Sequence, residues 1–387
     1  MDDEWQAGGF GIYIHWPFCQ AKCPYCDFNS HVAARIDSAR WMSSYLSEIR
    51  RLAPETEGRT VRSVFFGGGT PSLMEPELVD TILSEVRRHW SVANDWEVTL
   101  EANPASSDAG RFTGYRQAGV NRLSMGFQAL NDADLKRLGR LHTVAEAEAA
   151  FAVARGCFER VSFDLIYARQ EQTIAAWETE LQRAIALSPD HLSLYQLTIE
   201  DGTAFGDRFA RGKLRGLPDE SLAADMFART QEICEAAGMP AYEVSNHCRP
   251  GQESQHNLIY WRYGDYLGIG PGAHGRISHG GNRSATESHR APGKWLDEVE
   301  ARGSGESVRV MLSRTESADE HLLMGLRLTE GIDIARHARL AGYPLDPEKI
   351  AFLQSLGAVR IQNGRLATTA EGRLVLNAVL RELTADA

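Results

Sequence analysis

Short runs of β-branched and aromatic residues recur along the first 240 residues, and segments with helical periodicity separate them. One such helical face carries Trp41, Tyr45 and Ile49. Strand–helix alternation of this kind predicts parallel strands joined by right-handed crossovers. The six predicted strands are Gly11–His15, Val61–Phe66, Trp96–Ala102, Asn121–Phe127, Val161–Ile166 and His191–Leu197.

The predicted strands are apolar on one face only, because successive side chains of a strand point to opposite faces. In the third strand, Val98 and Leu100 share one face, whereas Glu97 and Glu101 share the other. A parallel sheet covered by helices on both faces would read as continuously apolar, and a closed eight-stranded barrel fills its interior with apolar side chains. The pattern therefore predicts an α/β fold with an open, six-stranded parallel (βα)6 partial barrel, helices outside and a polar concave interior.

The alternation weakens beyond residue 240. Tyr260–Gly275 is rich in glycine and aromatic residues, which indicates backbone segments that approach each other closely around a site. Helical patterns and a hairpin around Asn363-Gly364 follow, and together they resemble a winged helix. We expect three units: a partial-barrel domain over 1–240, a Gly/aromatic-rich extension and linker over 241–306, and a C-terminal helical, winged-helix-like domain over 307–387.

Charge bears on the expected partners. Lys plus Arg number 41 and Asp plus Glu number 52, so the formal net charge is −11. Within the winged-helix-like region, Ser313–Ala387 has 9 basic and 10 acidic residues, so we expect no nucleic-acid partner. No apolar run approaches the ~18 residues that a membrane span needs, and Met1–Trp5 does not resemble a signal peptide. We therefore expect a cytosolic protein without an integral membrane segment.

Three of the six cysteines form a C-x3-C-x2-C motif directly after the first predicted strand: Cys19, Cys23 and Cys26. Because cytosolic thiols stay reduced, a metal site is a better interpretation than disulfides. Three thiolates can hold three irons of a [4Fe–4S] cluster and leave the fourth iron open. A zinc site with His15 or His31 as fourth ligand is the alternative.

The motif resembles the signature of radical S-adenosylmethionine (SAM) enzymes, and Tyr25 before the last cysteine matches it as well. The resemblance implies that the open iron chelates SAM and that the fold is a six-stranded βα partial barrel. The turn Gly67–Pro71 after the second strand resembles the turn that this family uses for the aminocarboxyl end of SAM.

Nearly the whole chain is similar to the oxygen-independent coproporphyrinogen oxidase group, and this similarity implies two sets of SAM-binding residues. The set for the cluster-bound SAM comprises Tyr13, Gly68 and Glu101. The set for a second SAM comprises Gly69, Thr70, Gln128, Arg140 and Asp164. Glu101, Gln128 and Asp164 also lie on the polar strand faces inferred from alternation.

One departure favours a sister branch of haem chaperones. The oxidase carries a fourth cysteine where this chain has Phe28, and the sister branch carries a His-Asn-x-x-Tyr-Trp element, here beginning at His256. Imidazole is a natural axial ligand of haem iron, so His256 is the candidate haem ligand, with His247 and Cys248 as alternatives. The expected cofactors are a [4Fe–4S] cluster, SAM and haem, and the expected partners are haem and client haemoproteins.

Two other function classes stay open at this point. One is the oxidase itself, which decarboxylates propionate side chains of coproporphyrinogen III, and the other is a zinc-stabilised interaction protein. The sequence also leaves open whether SAM is cleaved, whether one or two SAM molecules bind, and whether the chain forms a homodimer.

Overall fold

The computed structural model describes residues 4–33, 35–106, 108–187 and 189–384. Within these ranges the chain forms sixteen strands, several of them only two residues long. The strands are β1 (Phe10–Trp16), β2 (Phe18–Cys19), β3 (His31–Val32), β4 (Thr60–Gly68), β5 (Ser91–Ala102), β6 (Arg122–Gln128), β7 (Arg160–Tyr167), β8 (His191–Gln196), β9 (Asn246–Cys248), β10 (Asp265–Ile269), β11 (His274–His279), β12 (Asn282–Ser288), β13 (Glu306–Leu312), β14 (Ile332–Asp333), β15 (Val359–Gln362) and β16 (Arg365–Thr368).

Helices alternate with these strands, and in the described ranges none is long and apolar enough to cross a membrane. The helices are α1 (Ser38–Leu52), α2 (Pro76–His89), α3 (Ala109–Ala118), α4 (Asp132–Arg137), α5 (Val144–Cys157), α6 (Ile174–Ala186), α7 (Ala204–Ala210), α8 (Glu220–Ala236), α9 (Gln255–Trp261), α10 (Pro292–Arg302), α11 (Arg314–Gly325), α12 (Ile334–Ala341), α13 (Pro347–Ser355), α14 (Ala370–Leu374) and α15 (Leu376–Thr384).

The six predicted strands are confirmed as a parallel run within one open sheet, in the order β1-β4-β5-β6-β7-β8. Their apolar side chains, such as Val98 and Leu100, are fully buried under the crossover helices. Along that face, α1 packs on α2, α2 on α3 and α3 on α5. The opposite face of the same strands carries polar side chains, so the predicted α/β class and its polar interior are confirmed.

The sheet is wider than the sequence predicts. Strand β10 pairs in parallel with the free side of β1, and β11, β12 and β13 continue the sheet as an antiparallel meander. At the other end β9 pairs antiparallel with β8. The interval 241–306 therefore contributes strands to the main sheet, and β13 begins at Glu306, where a linker was expected. Strands β10 and β11 are only five and six residues long, too short for a strong period-two pattern. The three-way division of the chain stays a prediction.

The C-terminal helices surround a second, smaller core that includes Leu326, Leu366 and Val379. A three-stranded sheet in the order β14-β16-β15 packs with them. The predicted hairpin is present, with Asn363 and Gly364 at φ of 50° and 74°, the positive values that a two-residue hairpin turn requires. After the hairpin the chain forms two helices, α14 and α15, because Val375 leaves the helical conformation with ψ of 28°.

A buried ion cluster joins the meander to the parallel strands. The Asp265 carboxylate at the start of β10 is fully buried. Its oxygens lie 2.5 Å from Arg59 Nη1 and 2.6 Å from Arg283 Nη1, and it also accepts a hydrogen bond of 2.9 Å from Ser278 Oγ. One carboxylate therefore ties β10, β11 and β12 to the segment that precedes β4.

We predict that Asp265→Ala lowers the free energy of unfolding by about 3–5 kcal/mol, because it leaves two buried guanidinium groups without a counter-charge. Urea titration followed by circular dichroism measures this loss. Asp297→Ala, which removes an exposed ion pair with Arg40, is the control and should change stability little. Equal losses in the two variants would contradict the assignment.

Candidate active site

The cysteine loop lies at the carboxyl end of β1, where parallel βα folds place their chemistry. Cys19 ends β2, and Cys23 and Cys26 follow in the loop before β3. Strands β2 and β3 pair in parallel, with Phe18 opposite His31, and so close the base of the loop. The side-chain amide of Asn29 donates to the Pro271 and Arg290 carbonyls at 2.9 Å each and anchors the loop to the meander.

Hydrogen-bond donors are directed at the three sulfur atoms, all of which are half-buried. Thr70 Oγ1 donates to Cys19 Sγ at 3.4 Å, and Arg140 Nη1 donates to Cys23 Sγ at 3.5 Å. The Ser30 hydroxyl lies 3.9 Å from Cys26 Sγ. Burial raises the pKa of the Cys19 and Cys26 thiols, and these hydroxyl contacts oppose that shift.

This donor set fits an iron–sulfur cluster. Three cysteines on one loop, with cationic and hydroxyl donors to sulfur, suit thiolates that ligate iron. Of the imidazole nitrogens considered for zinc, His15 Nε2 donates to the Asn29 carbonyl at 2.9 Å, and His31 Nε2 lies 3.1 Å from Asn29 Oδ1.

The glycine turn after β4 clamps the base of the cysteine loop. The Gly69 N–H donates to the Trp16 carbonyl at 2.7 Å, and the Thr70 N–H donates to the Phe18 carbonyl at 2.8 Å. Gly68 has φ of +113°, and a Cβ at this position would lie 2.6 Å from the His15 ring. Only glycine satisfies both the backbone conformation and the close approach.

A cavity of about 490 Å³ opens beside this turn, on the polar face of the sheet. Tyr13, Gly68 and Glu101, the three residues predicted for cluster-bound SAM, all line it. The Tyr13 hydroxyl donates to His15 Nδ1 at 3.0 Å, because His15 Nε2 is committed as a donor to a carbonyl. Burial lowers the pKa of His15 to about 4, so this imidazole is neutral at pH 7.

Two carboxyls on the same face of β5 have opposite environments. Burial, together with the nearby charge of Asp164, raises the pKa of Glu101 from 4.5 to about 8, and the donating Gly68 N–H at 3.2 Å does not offset this. Burial alone would raise the pKa of Glu97 too, but Arg122, Arg160 and two helix-terminal N–H groups hold it below its ordinary value. Among the described residues, Glu101 and Asp164 take part in no ion pair with Arg, Lys or His. Glu101 is therefore protonated at pH 7 in the empty protein, and a bound cation would favour its carboxylate form.

The residues predicted for a second SAM come from the turn after β4, from β6 and β7, and from the loop after α4. Asp164 lies on β7, two strands from Glu101. Burial raises the pKa of Asp164 to about 6, although Ser193, Arg122 and Arg140 act against the shift. Gln128 sits at a bulge with φ of 73°, which directs it away from the regular strand pattern. Arg140 bridges Cys23 and the Gly126 carbonyl. Arg140 therefore contacts the cysteine loop directly, and its assignment to a SAM molecule stays a prediction.

Tyr25 packs beside the cysteines. Its ring centroid lies 6.4 Å from that of Phe205 on α7, and Pro24 contacts Gly139 just before Arg140. The aromatic residue before the last cysteine thus fixes the loop against neighbouring elements, and its role toward a cofactor stays a prediction.

His256 lies beneath the cavity and does not line it. Its Nδ1 is 2.7 Å from Ser63 Oγ and its Nε2 is 2.8 Å from the Tyr260 hydroxyl, so both ring nitrogens are engaged. The residue is 1% exposed, and burial lowers its pKa to about 3. An iron ligand at His256 would first have to give up one of these hydrogen bonds. The alternatives His247 and Cys248 are buried in β9, also outside the cavity lining.

Several cavity residues were missed from sequence. Phe28, Asn29, His274 and Arg290 line the cavity, and Met324 reaches it from α11. The one sequence feature that indicated a site in this region was the glycine-rich run after β10. There Gly270 lies against the His15 carbonyl and Gly272 against the Asn29 side chain, so the expected close approach of backbone to a site is present.

We predict that Glu101→Gln stabilises the ligand-free protein at pH 8. Native Glu101 keeps its proton up to about pH 8, whereas the unfolded chain loses it near pH 4.5. The unfolded state therefore binds fewer protons between these values, and native stability falls as pH rises through this window. Thermal unfolding at pH 5 and pH 8 should show a smaller decrease for the variant than for the parent.

Glu97→Gln is the matched variant for this experiment, from the same strand face. Because the native pKa of Glu97 is lowered, its carboxylate stabilises the fold above about pH 4.5 and this stability is lost as pH falls. The variant should therefore have a lower melting temperature at both pH 5 and pH 8. Stabilisation by Glu97→Gln, or no gain from Glu101→Gln at pH 8, would contradict the two assignments.

The chain is similar to known proteins over most of its length. The "Radical SAM superfamily" family model matches residues 13–183, and the "HemN C-terminal domain" model matches residues 312–375. "Radical S-adenosyl methionine domain-containing protein 1, mitochondrial" from Bos taurus is 39% identical over 96% of this chain and 86% of its own length. "Heme chaperone HemW" from Mycobacterium tuberculosis is 36% identical over 97% of this chain and 94% of its own.

The fold also has a solved counterpart. Coproporphyrinogen III oxidase (HemN) from Escherichia coli superposes with a TM-score of 0.81, over 98% of this chain and 92% of that chain. At 22% identity this likeness shows a shared fold and no shared activity. The chain belongs to the radical SAM superfamily, in the HemN-like branch that contains the HemW proteins.

Proposed function

We propose that this protein is a haem chaperone, which binds haem, a [4Fe–4S] cluster and SAM and delivers haem to client haemoproteins. The observation that carries the proposal is sequence identity to a protein called "Heme chaperone HemW" along 97% of the chain. The similarity covers the sequence of the partial barrel, the meander and the C-terminal helices alike.

The cluster ligands in this proposal are Cys19, Cys23 and Cys26. The cluster, when bound, would supply an open iron for the amino and carboxylate groups of SAM. Tyr13, Gly68 and Glu101 line the neighbouring cavity, where a carboxylate without a cationic partner suits the positive charge of SAM. Gly69, Thr70, Gln128, Arg140 and Asp164 remain proposed contacts of a second SAM.

The cavity is also suited to a flat macrocycle. Tyr260, Trp261 and Tyr266 lie on its wall, and the ring centroids of Tyr260 and Tyr266 are 4.3 Å apart. Phe28 lies at the rim, where its side chain is 60% exposed. Aromatic walls and an accessible rim are consistent with a ligand that must be released to another protein.

Two further parts of the proposal concern location and organisation. We propose a cytosolic location and the division into 1–240, 241–306 and 307–387. The client haemoproteins would then be cytosolic as well. Light scattering would test whether the chain forms a homodimer.

We predict that Cys19→Ala prevents assembly of a complete cluster, because one iron loses its thiolate. Anaerobic reconstitution followed by iron and sulfide analysis should give about four irons per chain for the parent protein and a clear deficit for the variant. Cys157→Ala, which removes a half-buried thiol away from the loop, should retain the full iron content. Stoichiometric zinc without sulfide in the parent would refute the cluster.

The second candidate function is oxygen-independent coproporphyrinogen III oxidase, favoured by the fold shared with HemN. We predict that the cluster-loaded protein binds haem and transfers it to an apo-haemoprotein, and that coproporphyrinogen III with SAM and a reductant stays unconverted. Product analysis by chromatography and haem transfer by absorbance measure the two activities. Robust decarboxylation would overturn the chaperone proposal.

A further inference from the structure

Two side chains that line the cavity, those of Arg290 and His274, have polar groups that are available to bind a ligand. The guanidinium of Arg290 is exposed, lines the cavity and makes no hydrogen bond or ion pair with any described residue. His274, at the start of β11, also lines the cavity, and its side chain is 56% exposed. Both residues come from the meander, outside the six-stranded barrel that carries the predicted SAM contacts.

His274 differs from the other imidazoles near this cavity. His15 and His256 each have both ring nitrogens hydrogen bonded. His274 has one polar neighbour, the Glu287 carboxylate on β12, which lies 3.7 Å from Nδ1. That arrangement leaves Nε2 unengaged among the described residues.

The position of Glu287 matches a known feature of histidine metal ligands. A ligating imidazole commonly has a carboxylate or carbonyl on its second nitrogen, which orients the ring and strengthens the donor. Strands β11 and β12 pair with His274 directly opposite Glu287, so the sheet register fixes this neighbour. His274 Nε2 is therefore the nitrogen available to bind iron.

We propose that haem binds in this cavity with His274 Nε2 as axial ligand and a propionate paired with Arg290. The inference rests on the proposed haem-chaperone function and specifies the ligand that it needs. The aromatic wall of Tyr260, Trp261 and Tyr266 would contact the macrocycle, and Arg290 supplies the charge that a carboxylate prefers. His256 then acts as a positioning residue, because it holds the Tyr260 hydroxyl beneath the cavity.

Haem titration of the cluster-loaded protein tests the axial ligand. His274→Ala should weaken haem binding by about tenfold or more and change the axial-ligand signature in electron paramagnetic resonance and resonance Raman spectra. Added imidazole should restore the parent signature in this variant. His279→Ala removes an exposed histidine from the other end of the same strand and should bind haem as the parent does.

His256→Gln separates the two histidines, since glutamine can keep a hydrogen bond to Ser63 or Tyr260. We expect this variant to retain the parent axial signature. A parent-like spectrum and affinity for His274→Ala, or loss of the axial signature in His256→Gln alone, would overturn the assignment while leaving the chaperone proposal intact. Failure of the parent protein to bind haem would overturn both. Iron and sulfide content and circular dichroism confirm that each variant is folded and loaded.

The propionate contact has its own test. Arg290→Gln should weaken haem binding roughly two- to fivefold, as expected for an exposed charge pair, and leave the axial signature unchanged. Haem dimethyl ester, which lacks the carboxylates, should bind parent and variant equally. An equal loss for haem and its ester would refute the pairing of Arg290 with a propionate.

Discussion

The buried carboxylate of Glu97 is the contact on which the interior of this protein depends. It lies 2.8 Å from Arg160 Nη1 and 3.9 Å from Arg122 Nη1, and it accepts hydrogen bonds from the Gln255 and His256 N–H groups at 3.3 Å each. A polar strand face enclosed by protein must have its charges and donors satisfied. At the floor of the barrel, Glu97 balances the two arginine charges and accepts from the first N–H groups of α9, which fixes the start of that helix there. Helix α9 in turn carries Tyr260 and Trp261 to the cavity wall.

At the mouth of the barrel, by contrast, the buried carboxyls form no ion pair with a described residue. Glu101 is four residues from Glu97 on the same strand face, yet burial and the charge of another carboxyl, Asp164, raise its pKa, and burial raises the pKa of Asp164 as well. The carboxylate at the floor of the barrel is therefore stabilised by the protein itself, whereas a cationic ligand would stabilise the carboxylates at its mouth. Such uncompensated groups lower stability in the empty protein and are typical of functional sites.

The cysteine loop and the meander depend on each other. Asn29 connects the loop to the Pro271 and Arg290 carbonyls, and the fully buried Asp265 cluster holds the meander to the barrel. The meander thus supplies one wall of a cavity whose other wall is the polar face of β1, β4 and β5. A site that combines a cluster loop, carboxyls and aromatic residues arises only because β10 pairs with β1.

The sequence by itself determined the parallel strands, the polar interior and the three cysteines. Period-two alternation and the C-x3-C-x2-C spacing are local properties. Glu101 could therefore be placed on the polar strand face, and Cys19 in the cysteine motif, without coordinates. Tertiary structure alone decided that His274 lines the cavity and His256 does not. His256 stands in a recognisable element, but its contacts with Ser63 and Tyr260 join segments far apart in the chain, whereas His274 lies in an inconspicuous glycine-rich run. Exposure and hydrogen bonding of a side chain depend on what packs around it, and that information is not contained in local spacing.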